Sequence, residues 1–352
     1  MKKNPFGARL EEFRSLVVSK GLDAAIVSKP ANVRALTGVE CDCAMLLVAA
    51  KRTIFFTDFR YAPAVERLAP YLEIGDILKF RSKRPLTVKG CCFKKVGFES
   101  SISFSTFEKF KTLFPSAELI DVEGDVISLR SVKTPIEIDK IRKAAALNDE
   151  VWSIAQSKFK PGMTERDMAR IIKHLMLDLG DGEAFETIVC IGENAAECHH
   201  VPDDTVWDGK KNILVDLGLK LDGYASDMTR NIIGPRPSKL YKKVYNLVLE
   251  ANLRAIAAAK SGMTAAKLDK VARDFLKANG FSEAFGHSLG HGVGLEIHEA
   301  PTVSRRDKTC LKPGMVITIE PGVYLPGNLG VRIEDLVLIT ETGCEVLSSS
   351  AK

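Results

Sequence analysis

The sequence predicts a mixed α/β chain of two domains, the second of which consists of two similar halves. Its 352 residues exceed what one core of ordinary size accommodates, which favours two domains. The first part of the chain alternates between helix-like and strand-like segments, and short motifs in the second part recur about one hundred residues apart. A composition of 45% hydrophobic and 27% charged residues is ordinary for a globular protein.

Charge and cysteine content exclude several classes of protein. The net charge of +5 is small and dispersed, and the basic stretch Arg81–Arg84 is interpreted as a solvated loop, so we predict no nucleic-acid partner. The eight cysteines, which include the close pairs Cys41/Cys43 and Cys91/Cys92, form no disulfide-dense pattern and no C-x-x-C motif. This spacing indicates reduced thiols.

Signals for export or membrane insertion are absent from the sequence. The charged start Met1–Pro5 is not followed by the apolar segment that a signal peptide requires. The longest apolar run, Cys43–Ala50, is far shorter than the roughly 20 residues that cross a bilayer. These observations predict a cytoplasmic protein without a membrane partner.

The predicted first domain comprises residues 1–130. Two segments, Leu10–Lys20 and Phe104–Leu113, have helical spacing, and Gly21 ends the first of them. The predicted strands are three short apolar or β-branched runs, Ala24–Ser28, Ala44–Val48 and Thr53–Thr57. The stretch contains no histidine, no glycine-rich phosphate loop and no nucleophile elbow. We therefore predict an α/β domain whose role is structural, shielding or oligomeric.

A helix start marks the beginning of the second domain, residues 131–352. The segment Thr134-Pro135-Ile136-Glu137 combines an N-cap threonine, a proline at the first helical position and the glutamate of a capping box. One face of the helix that follows is apolar, with Ile138, Ile141, Ala145 and Val151. The domain boundary is therefore predicted near Arg130.

An internal repeat divides the second domain into two halves. Five pairs of segments recur in the same order: Lys160–Thr164 and Lys260–Thr264, Glu183–Phe185 and Glu283–Phe285, His199–Pro202 and His298–Pro301, Asp216–Gly218 and Glu320–Gly322, and Asp227 and Glu334. Five matches in register are better explained by a duplicated structure than by chance. We therefore predict two similar helix-and-sheet halves that face each other.

The histidines are clustered. Of the six in the chain, His174 lies in the middle of a predicted helix, where a surface or structural role is expected. The other five lie in the two stretches His199–His200 and His287–His298. Such clustering in a chain with few histidines points to a functional site.

Two carboxylates lie on a predicted hairpin around Leu221-Asp222-Gly223. If Leu221 and Asp222 form the loop, Asp216 stands opposite Asp227. If Asp222 and Gly223 form a type I′ turn, Asp216 faces Thr229, and Asp227 is its diagonal neighbour. Either register places both carboxylates on one face of the sheet, within ~5 to 8 Å of each other.

A second hairpin repeats this arrangement. The segments Val316–Glu320 and Val331–Glu334 flank a turn centred on Gly327, which brings Glu320 opposite Glu334. Both carboxylate pairs follow apolar strands, where facing like charges are destabilising. Solvated hairpin faces or protonation would relieve one pair, but four buried carboxylates are most simply neutralised by cations.

One imidazole completes the predicted ligand set, because His291 lies in the glycine-rich segment Gly290–Gly294, where the backbone can approach a site closely. The sequence has no H-E-x-x-H motif, which argues against a single-zinc peptidase. The predicted ligands are Asp216, Asp227, His291, Glu320 and Glu334. Such oxygen-rich sets suit two divalent ions ~3.5 to 4 Å apart, with Mn²⁺ favoured and Co²⁺, Zn²⁺ or Fe²⁺ as alternatives.

Five separated motifs resemble those of the pita-bread metallopeptidases, especially the aminopeptidase P and prolidase branch. They are Ile213–Gly218, Ser226–Arg230, His287–Glu299, Glu320–Tyr324 and Val331–Asp335, and the resemblance extends through Asn32–Gly38, Thr57–Tyr61 and Val132–Glu137 to nearly the whole chain. It implies an α/β (α+β) fold with a creatinase-type amino-terminal domain and a pseudo-two-fold pita-bread catalytic domain.

The resemblance also implies roles for individual residues. The five predicted ligands match the metal ligands of the family, and Glu320 further matches its general base. His298 matches a histidine that contacts the scissile carbonyl, and His199 matches one that lines the substrate pocket. Arg332 matches an arginine that supports the carboxylate network. His287 and Tyr324 are further pocket candidates.

The sequence departs from the family pattern at two positions. Cys198 stands where many relatives have proline before the pocket histidine. Thr302 follows Pro301 where typical prolidases have an arginine that meets the carboxylate of a dipeptide, although Arg305 and Arg306 are close by. The second departure tilts the expected substrate from dipeptides to longer peptides.

The predicted function is that of an Xaa-Pro aminopeptidase, in which a metal-bridging hydroxide attacks the bond between an N-terminal residue and a following proline. The alternative is a prolidase that cleaves only Xaa-Pro dipeptides. Methionine aminopeptidase is disfavoured by the amino-terminal domain, and a metal-free creatinase-like hydrolase by the presence of all five ligands. A non-catalytic peptide-binding module is the remote alternative. The expected partners are peptides with proline in second position, and the resemblance implies a homodimer.

Overall fold

The computed structural model of the chain describes residues 6–82, 84–89 and 92–352. Of the features named above, Met1–Pro5, Lys83 and Cys91 lie outside the described residues. By its internal contacts the chain divides into two units between Arg130 and Ser131.

The first unit is built on a mixed sheet of six strands in the order β4-β3-β2-β1-β5-β6. The strands are β1 (Ala24–Val27), β2 (Met45–Ala49), β3 (Arg52–Thr57), β4 (Glu73–Asp76), β5 (Lys95–Phe98) and β6 (Glu118–Asp121). The helices are α1 (Gly7–Ser19), α2 (Pro30–Thr37), α3 (Ala62–Leu68), α4 (Leu78–Arg81), α5 (Phe104–Leu113) and α6 (Glu123–Ser131). The predicted helices and strands of this region are all present, with ends that differ by at most three residues.

Both faces of this sheet are covered. Along β1, Ala25 and Val27 belong to one hydrophobic cluster, whereas Ala24 and Ile26 belong to another. Side chains alternate between the two faces of a strand, so the two clusters lie on opposite sides of the sheet. This explains why β1 is apolar at every position rather than at every second one.

The second unit contains four long helices and several small sheets. The helices are α7 (Pro135–Lys158), α8 (Glu165–Leu179), α9 (Lys239–Ala258) and α10 (Ala265–Ala278). The strands are β7 (Gly182–Glu183), β8 (Ile188–Ile191), β9 (Ile213–Leu217), β10 (Leu219–Leu221), β11 (Tyr224–Ala225), β12 (Met228–Ile232), β13 (Gly290–Gly292), β14 (Glu299–Val303), β15 (Val316–Ile319), β16 (Gly322–Leu325), β17 (Leu329–Arg332), β18 (Asp335–Ile339) and β19 (Cys344–Val346). They form the sheets β12-β9-β8, β11-β10-β7, β14-β13-β15-β18-β19 and β16-β17.

The second unit repeats one architecture. In the first half, α7 and α8 pack on β8, β9 and β12 in one hydrophobic cluster; in the second, α9 and α10 pack on β15, β17 and β18 in another. Thr164 and Thr264 cap α8 and α10 with their side chains, each accepting from the backbone N–H three residues later. The predicted capping box of Thr134 and Glu137 is also present at the start of α7.

The described cysteines form no disulfide. Among the helices of residues 6–82, 84–89 and 92–352, none combines the length and the apolar character that a bilayer crossing requires. His174 is exposed on α8, as predicted.

An asparagine in each half bonds a long helix to a strand residue that lies next to a predicted ligand in the sequence. Asn148 of α7 donates to Leu217 O at 3.0 Å, and Asn252 of α9 donates to Ile319 O at 3.0 Å. Asn252 is fully buried and lies within 3.4 Å of a second carbonyl, that of Ile333. The contact between helix and sheet therefore includes a buried amide group that donates to the backbone of the sheet.

We expect Asn252→Ala to lower the free energy of unfolding by about 1–3 kcal/mol, because it leaves buried carbonyls without a donor. The only tryptophans, Trp152 and Trp207, lie in the second unit, so their fluorescence in a urea titration reports on this unit. The control is Asn279→Ala, whose amide donates to Phe275 O at an exposed position. There the change should stay below about 0.5 kcal/mol, and equal shifts in both variants would contradict the assignment.

Candidate active site

The first carboxylate pair lies on a hairpin with a two-residue turn. Leu221 pairs with Tyr224, and the intervening Asp222 and Gly223 have φ angles of 49° and 74°. These positive values are those of a type I′ turn. Asp216 accordingly pairs with Thr229, which is the second of the two predicted registers.

The second carboxylate pair lies where two ladders meet. Gly322 pairs with Arg332 on one side, and Ile319 pairs with Asp335 on the other. The pairing of the second ladder continues that of the first without a shift. Glu320 therefore faces Glu334, as predicted, at a point between the two ladders where strand pairing is interrupted. The two halves are joined here, because Glu334 N–H donates to Thr229 O at 3.3 Å.

His291 lies on β13, between the two glycines Gly290 and Gly292. A Cβ on either glycine would lie within 2.3 Å of a carbonyl oxygen of a neighbouring strand, so only glycine fits at these positions. His291 Nε2 lies 3.6 Å from Asp227 Oδ2 and 3.5 Å from Glu320 Oε1. Asp227, His291 and Glu334 each offer a ligand atom within 4.8 Å of the others. The predicted ligands thus converge on one small volume.

The hydrogen bonds of His291 define which nitrogen is available. Its Nδ1 lies 3.1 Å from Gly292 O and therefore carries the proton in that hydrogen bond. Burial, followed by the neighbouring His298, lowers the pKa of His291 to about 4, so its ring is neutral. The Nε2 lone pair consequently faces two carboxyl groups in the interior, which is a repulsive arrangement unless a proton or a cation lies between them. Metal-binding histidines are oriented in this way.

Burial governs the carboxylates as well. Desolvation raises the pKa of Asp227, and the charges of Asp216 and Glu320 raise it further. Desolvation, with Asp227 as the next cause, likewise raises the pKa of Glu334. For Glu320 burial is again the main cause, and the pKa rises to about 8. The site therefore holds protons at neutral pH when no cation replaces them.

Arg332 supplies the positive charge of the site. Its Nη2 donates to Asp216 Oδ2 at 2.5 Å, its Nε to Thr229 Oγ1 at 3.0 Å, and its Nη1 to the hydroxyl of Tyr324 at 2.8 Å. Thr229 in turn donates to Glu334 Oε2 at 2.7 Å. The arginine leaves Asp216 Oδ1 buried without a hydrogen-bond partner. A buried carboxylate oxygen with no donor is a further acceptor for a cation.

A cavity of about 280 Å³ lies beside this network. It is lined by Ala196, Cys198, His199, Glu283, Ala284, Gly286, His287 and Tyr324. His287 Nδ1 is bonded to Ser288 O at 2.7 Å, so its Nε2 accepts from the Tyr324 hydroxyl at 3.1 Å. Burial lowers the pKa of His287 to about 4, which keeps this imidazole neutral. The predicted pocket residues His199, His287 and Tyr324 therefore share one cavity, which Cys198 also lines.

The remaining predicted histidine, His298, is exposed, and its ring centroid lies 4.3 Å from that of His291. His200, which follows His199 in the sequence, by contrast forms hydrogen bonds that hold the backbone in place. Its Nε2 lies 2.7 Å from Glu165 Oε2, and Glu165 also accepts from the backbone of Ile191 and Asp203. Glu165, His200 and Asp203 have the spacing of metal ligands, but hydrogen bonds already occupy both oxygens of the glutamate.

Sequence reasoning missed the two threonines that hold the carboxylates. Thr229 bonds Glu334, and the fully buried Thr318 accepts from His291 N–H at 3.1 Å and donates to Glu320 Oε1 at 3.3 Å. A signal for Thr229 was present, since one of the two registers placed it opposite Asp216. Thr318 alternates with apolar neighbours and resembles an ordinary strand residue.

The donor set fits divalent cations. It consists of carboxylate oxygens, one of them without a partner, and a neutral imidazole whose free nitrogen faces them. Oxygen and imidazole donors of this kind suit hard or borderline divalent ions. Asp216, Asp227, His291, Glu320 and Glu334 are the residues that would hold them.

Two family models match the chain in sequence. The model described as "Metallopeptidase family M24" matches residues 139–341, and that described as "Creatinase/Prolidase N-terminal domain" matches residues 9–132. The chain belongs to metallopeptidase family M24. The predicted architecture, a creatinase-type domain followed by a pita-bread domain, is thereby confirmed.

This M24 chain is similar over its whole length to named peptidases. A protein of Pyrococcus furiosus named Xaa-Pro dipeptidase is 36% identical over 354 residues, which cover 98% of both chains. The structure of an Xaa-Pro dipeptidase from Bacillus anthracis has 35% identity and a TM-score of 0.93, covering 99% of this chain and 98% of the other. The X-Pro aminopeptidase from Thermotoga maritima has 32% identity and a TM-score of 0.83, covering 94% and 96%.

The pKa shifts predict how pH acts on the metal-free M24 chain. Burial lowers the pKa values of His287 and His291 to about 4, so their effect on the free energy of unfolding rises with pH between 4 and 6.5. Above pH 6.5 this effect no longer changes with pH. A carboxyl group with a raised pKa stabilises the fold below its unfolded pKa, and this contribution is lost as pH rises through the folded value. For Glu320 the window extends from about 4.5 to about 8.

We therefore expect the free energy of unfolding of chelator-treated protein to fall between pH 6.5 and 8.5. The slope should reach about 1.4 kcal/mol per pH unit for each proton lost. Urea titrations at several pH values measure it. The slope should be smaller in Glu320→Gln, and a flat profile in the unaltered chain would contradict the assigned shifts.

Proposed function

We propose that the chain is a metal-dependent Xaa-Pro dipeptidase, the activity that the sequence motifs allow as the alternative to an Xaa-Pro aminopeptidase. The observation that carries the metallopeptidase part is the lone pair of His291 Nε2, which faces Asp227 and Glu320 at 3.6 and 3.5 Å. The dipeptidase part is supported by the full-length similarity to the P. furiosus and B. anthracis dipeptidases. When bound, divalent cations at these ligands polarise a carbonyl group and lower the pKa of water.

The side chains of the site divide the remaining work. Glu320 would receive a proton from the attacking water and deliver it to the leaving nitrogen, with Thr318 holding its carboxylate in place. His298, exposed beside His291, would donate an N–H to the carbonyl oxygen as negative charge develops there. Arg332 fixes Asp216 and compensates part of the carboxylate charge.

The cavity beside Arg332 is suited to the leaving residue. The neutral His287 and the Tyr324 ring form one wall, and Ala284 and Gly286 leave room next to them. A compact, apolar ring such as that of proline fits walls of this kind without burying a polar group. His199 lines the same cavity and is exposed, so it is free to contact the substrate.

The predicted preference for longer peptides, the activity of an aminopeptidase, depended on Thr302 and has less support than dipeptidase activity. Thr302 is exposed, pairs with His291 in the ladder between β13 and β14, and donates its N–H to Asp307 Oδ2 at 2.9 Å. Arg305 and Arg306 follow within four residues and are also exposed, which leaves cationic side chains available for the carboxylate of a dipeptide. We therefore favour prolidase activity over aminopeptidase activity.

We expect Ala-Pro to be hydrolysed with a kcat/KM at least about tenfold above that for Ala-Pro-Ala, a difference of about 1.4 kcal/mol. Release of free alanine, measured by chromatography with Mn²⁺-loaded protein, provides the comparison. Pro-Ala serves as the control peptide and should not be cleaved. Preferential cleavage of Ala-Pro-Ala and longer peptides would instead establish the aminopeptidase.

We expect Glu320→Gln to reduce kcat for Ala-Pro by about 10²–10⁴-fold, the range for loss of a positioned general base. The exposed Glu341→Gln is the matched control and should retain full activity. Metal analysis of the unaltered chain should find two divalent ions per chain at saturation, and the same analysis is made on both variants. One tightly held zinc ion, or an active Glu320→Gln variant, would exclude the proposed mechanism.

A further inference from the structure

A buried ion pair lies next to the segment that carries His298. Residues 293–298 connect β13 to β14, and Glu299 is the first residue of β14. Lys133 Nζ lies 3.1 Å from Glu299 Oε2, and the two side chains are only 2% and 3% exposed. Such a pair is costly to bury and is strongly disrupted when one partner is removed.

The Glu299 carboxylate organises the connecting segment from inside. Its Oε1 accepts from the backbone N–H of Glu296 at 3.0 Å. A Cβ on Gly294 would lie 2.7–2.8 Å from the carboxylate atoms, so the chain passes directly against them. Gly294 O in turn accepts from Ala225 N–H at 2.8 Å, two residues before Asp227. The segment is thus held at Gly294 and Glu296, and Glu299 follows directly after His298.

Lys133 projects from a backbone that is itself held by the second half. Its N–H donates to Gly314 O at 2.9 Å, and the adjacent Val132 forms an isolated bridge with Met315. Its ammonium group also donates to Ser131 O at 3.2 Å. The cation therefore reaches Glu299 from a fixed position.

His298 has no comparable support of its own. Its imidazole forms no hydrogen bond with any of the residues that the structure describes, and its ring contact is with His291. The position of the ring therefore depends on the backbone from which it projects. That backbone adjoins Glu299, whose side chain is anchored.

We propose that the Lys133–Glu299 pair positions His298 for the reaction. The inference deepens the proposed function and rests on it, because that function assigns to His298 the contact with the scissile carbonyl. Lys133 and Glu299 are positioning residues, since neither reaches the substrate. Small displacements of a reacting group lower kcat steeply, whereas binding of the ground state changes little.

A double-mutant cycle with Ala-Pro as substrate tests this coupling. We expect Lys133→Met to lower kcat by about 10–100-fold with KM within about threefold of the original value. In the His298→Ala background the same substitution should change kcat less than about twofold, because the residue through which it acts is gone. Lys133→Arg keeps the charge and should restore most of the activity. Bound metal, measured in each variant, should stay unchanged.

Two further variants keep the test decisive. Leu276→Ala removes a fully buried side chain of α10 and should lower thermal stability while leaving kcat unchanged. If Lys133→Met fails to fold, Glu299→Gln, which keeps an acceptor for Glu296 N–H, replaces it in the cycle. Additive effects of the two substitutions would overturn the inference, as would loss of metal in Lys133→Met. Absence of Ala-Pro hydrolysis by the unaltered protein, or full activity of His298→Ala, would instead overturn the proposed function.

Discussion

The constraint on which the second unit depends is electrostatic. Four carboxylates share one buried volume, and Asp227 and Glu334 are 5% and 2% exposed. Desolvation and mutual repulsion both disfavour their charged forms, and Arg332 supplies only one compensating charge. The fold is therefore completed by protons or by cations, which makes metal affinity and conformational stability two aspects of a single equilibrium.

Uncharged side chains hold the carboxylates of the site in position. Thr229 and Thr318 each bond a carboxylate, and Asn148 and Asn252 bond the strands behind them to the long helices. These donors orient the acidic side chains without adding charge, so the site keeps its capacity for divalent ions.

Local patterns in the sequence were sufficient for much of this structure. Turn chemistry at Asp222-Gly223 restricted the first hairpin to two registers, and the duplicated motifs identified the second. What the sequence did not reveal depends on contacts between distant residues. His200 stands beside His199 but bonds Glu165, and Lys133 meets Glu299 across 166 residues. No spacing rule reports such pairs, because they form only when segments that are distant in the sequence come together in the folded chain. The edge strands β4 and β6, which end in charged residues, were missed because their apolar runs are too short.

The two-fold likeness of the halves stops at their side chains. The first half contributes aspartates to the proposed ligand set, whereas the second contributes the longer glutamates and the only imidazole, His291. Two identical ions bound there would occupy inequivalent environments and differ in affinity, so loading is expected to proceed in order rather than at random. A bound peptide would likewise encounter different chemistry at its two ends. The duplicated architecture places the ligands, and the different side chains of the two halves make the two ends of the site chemically distinct.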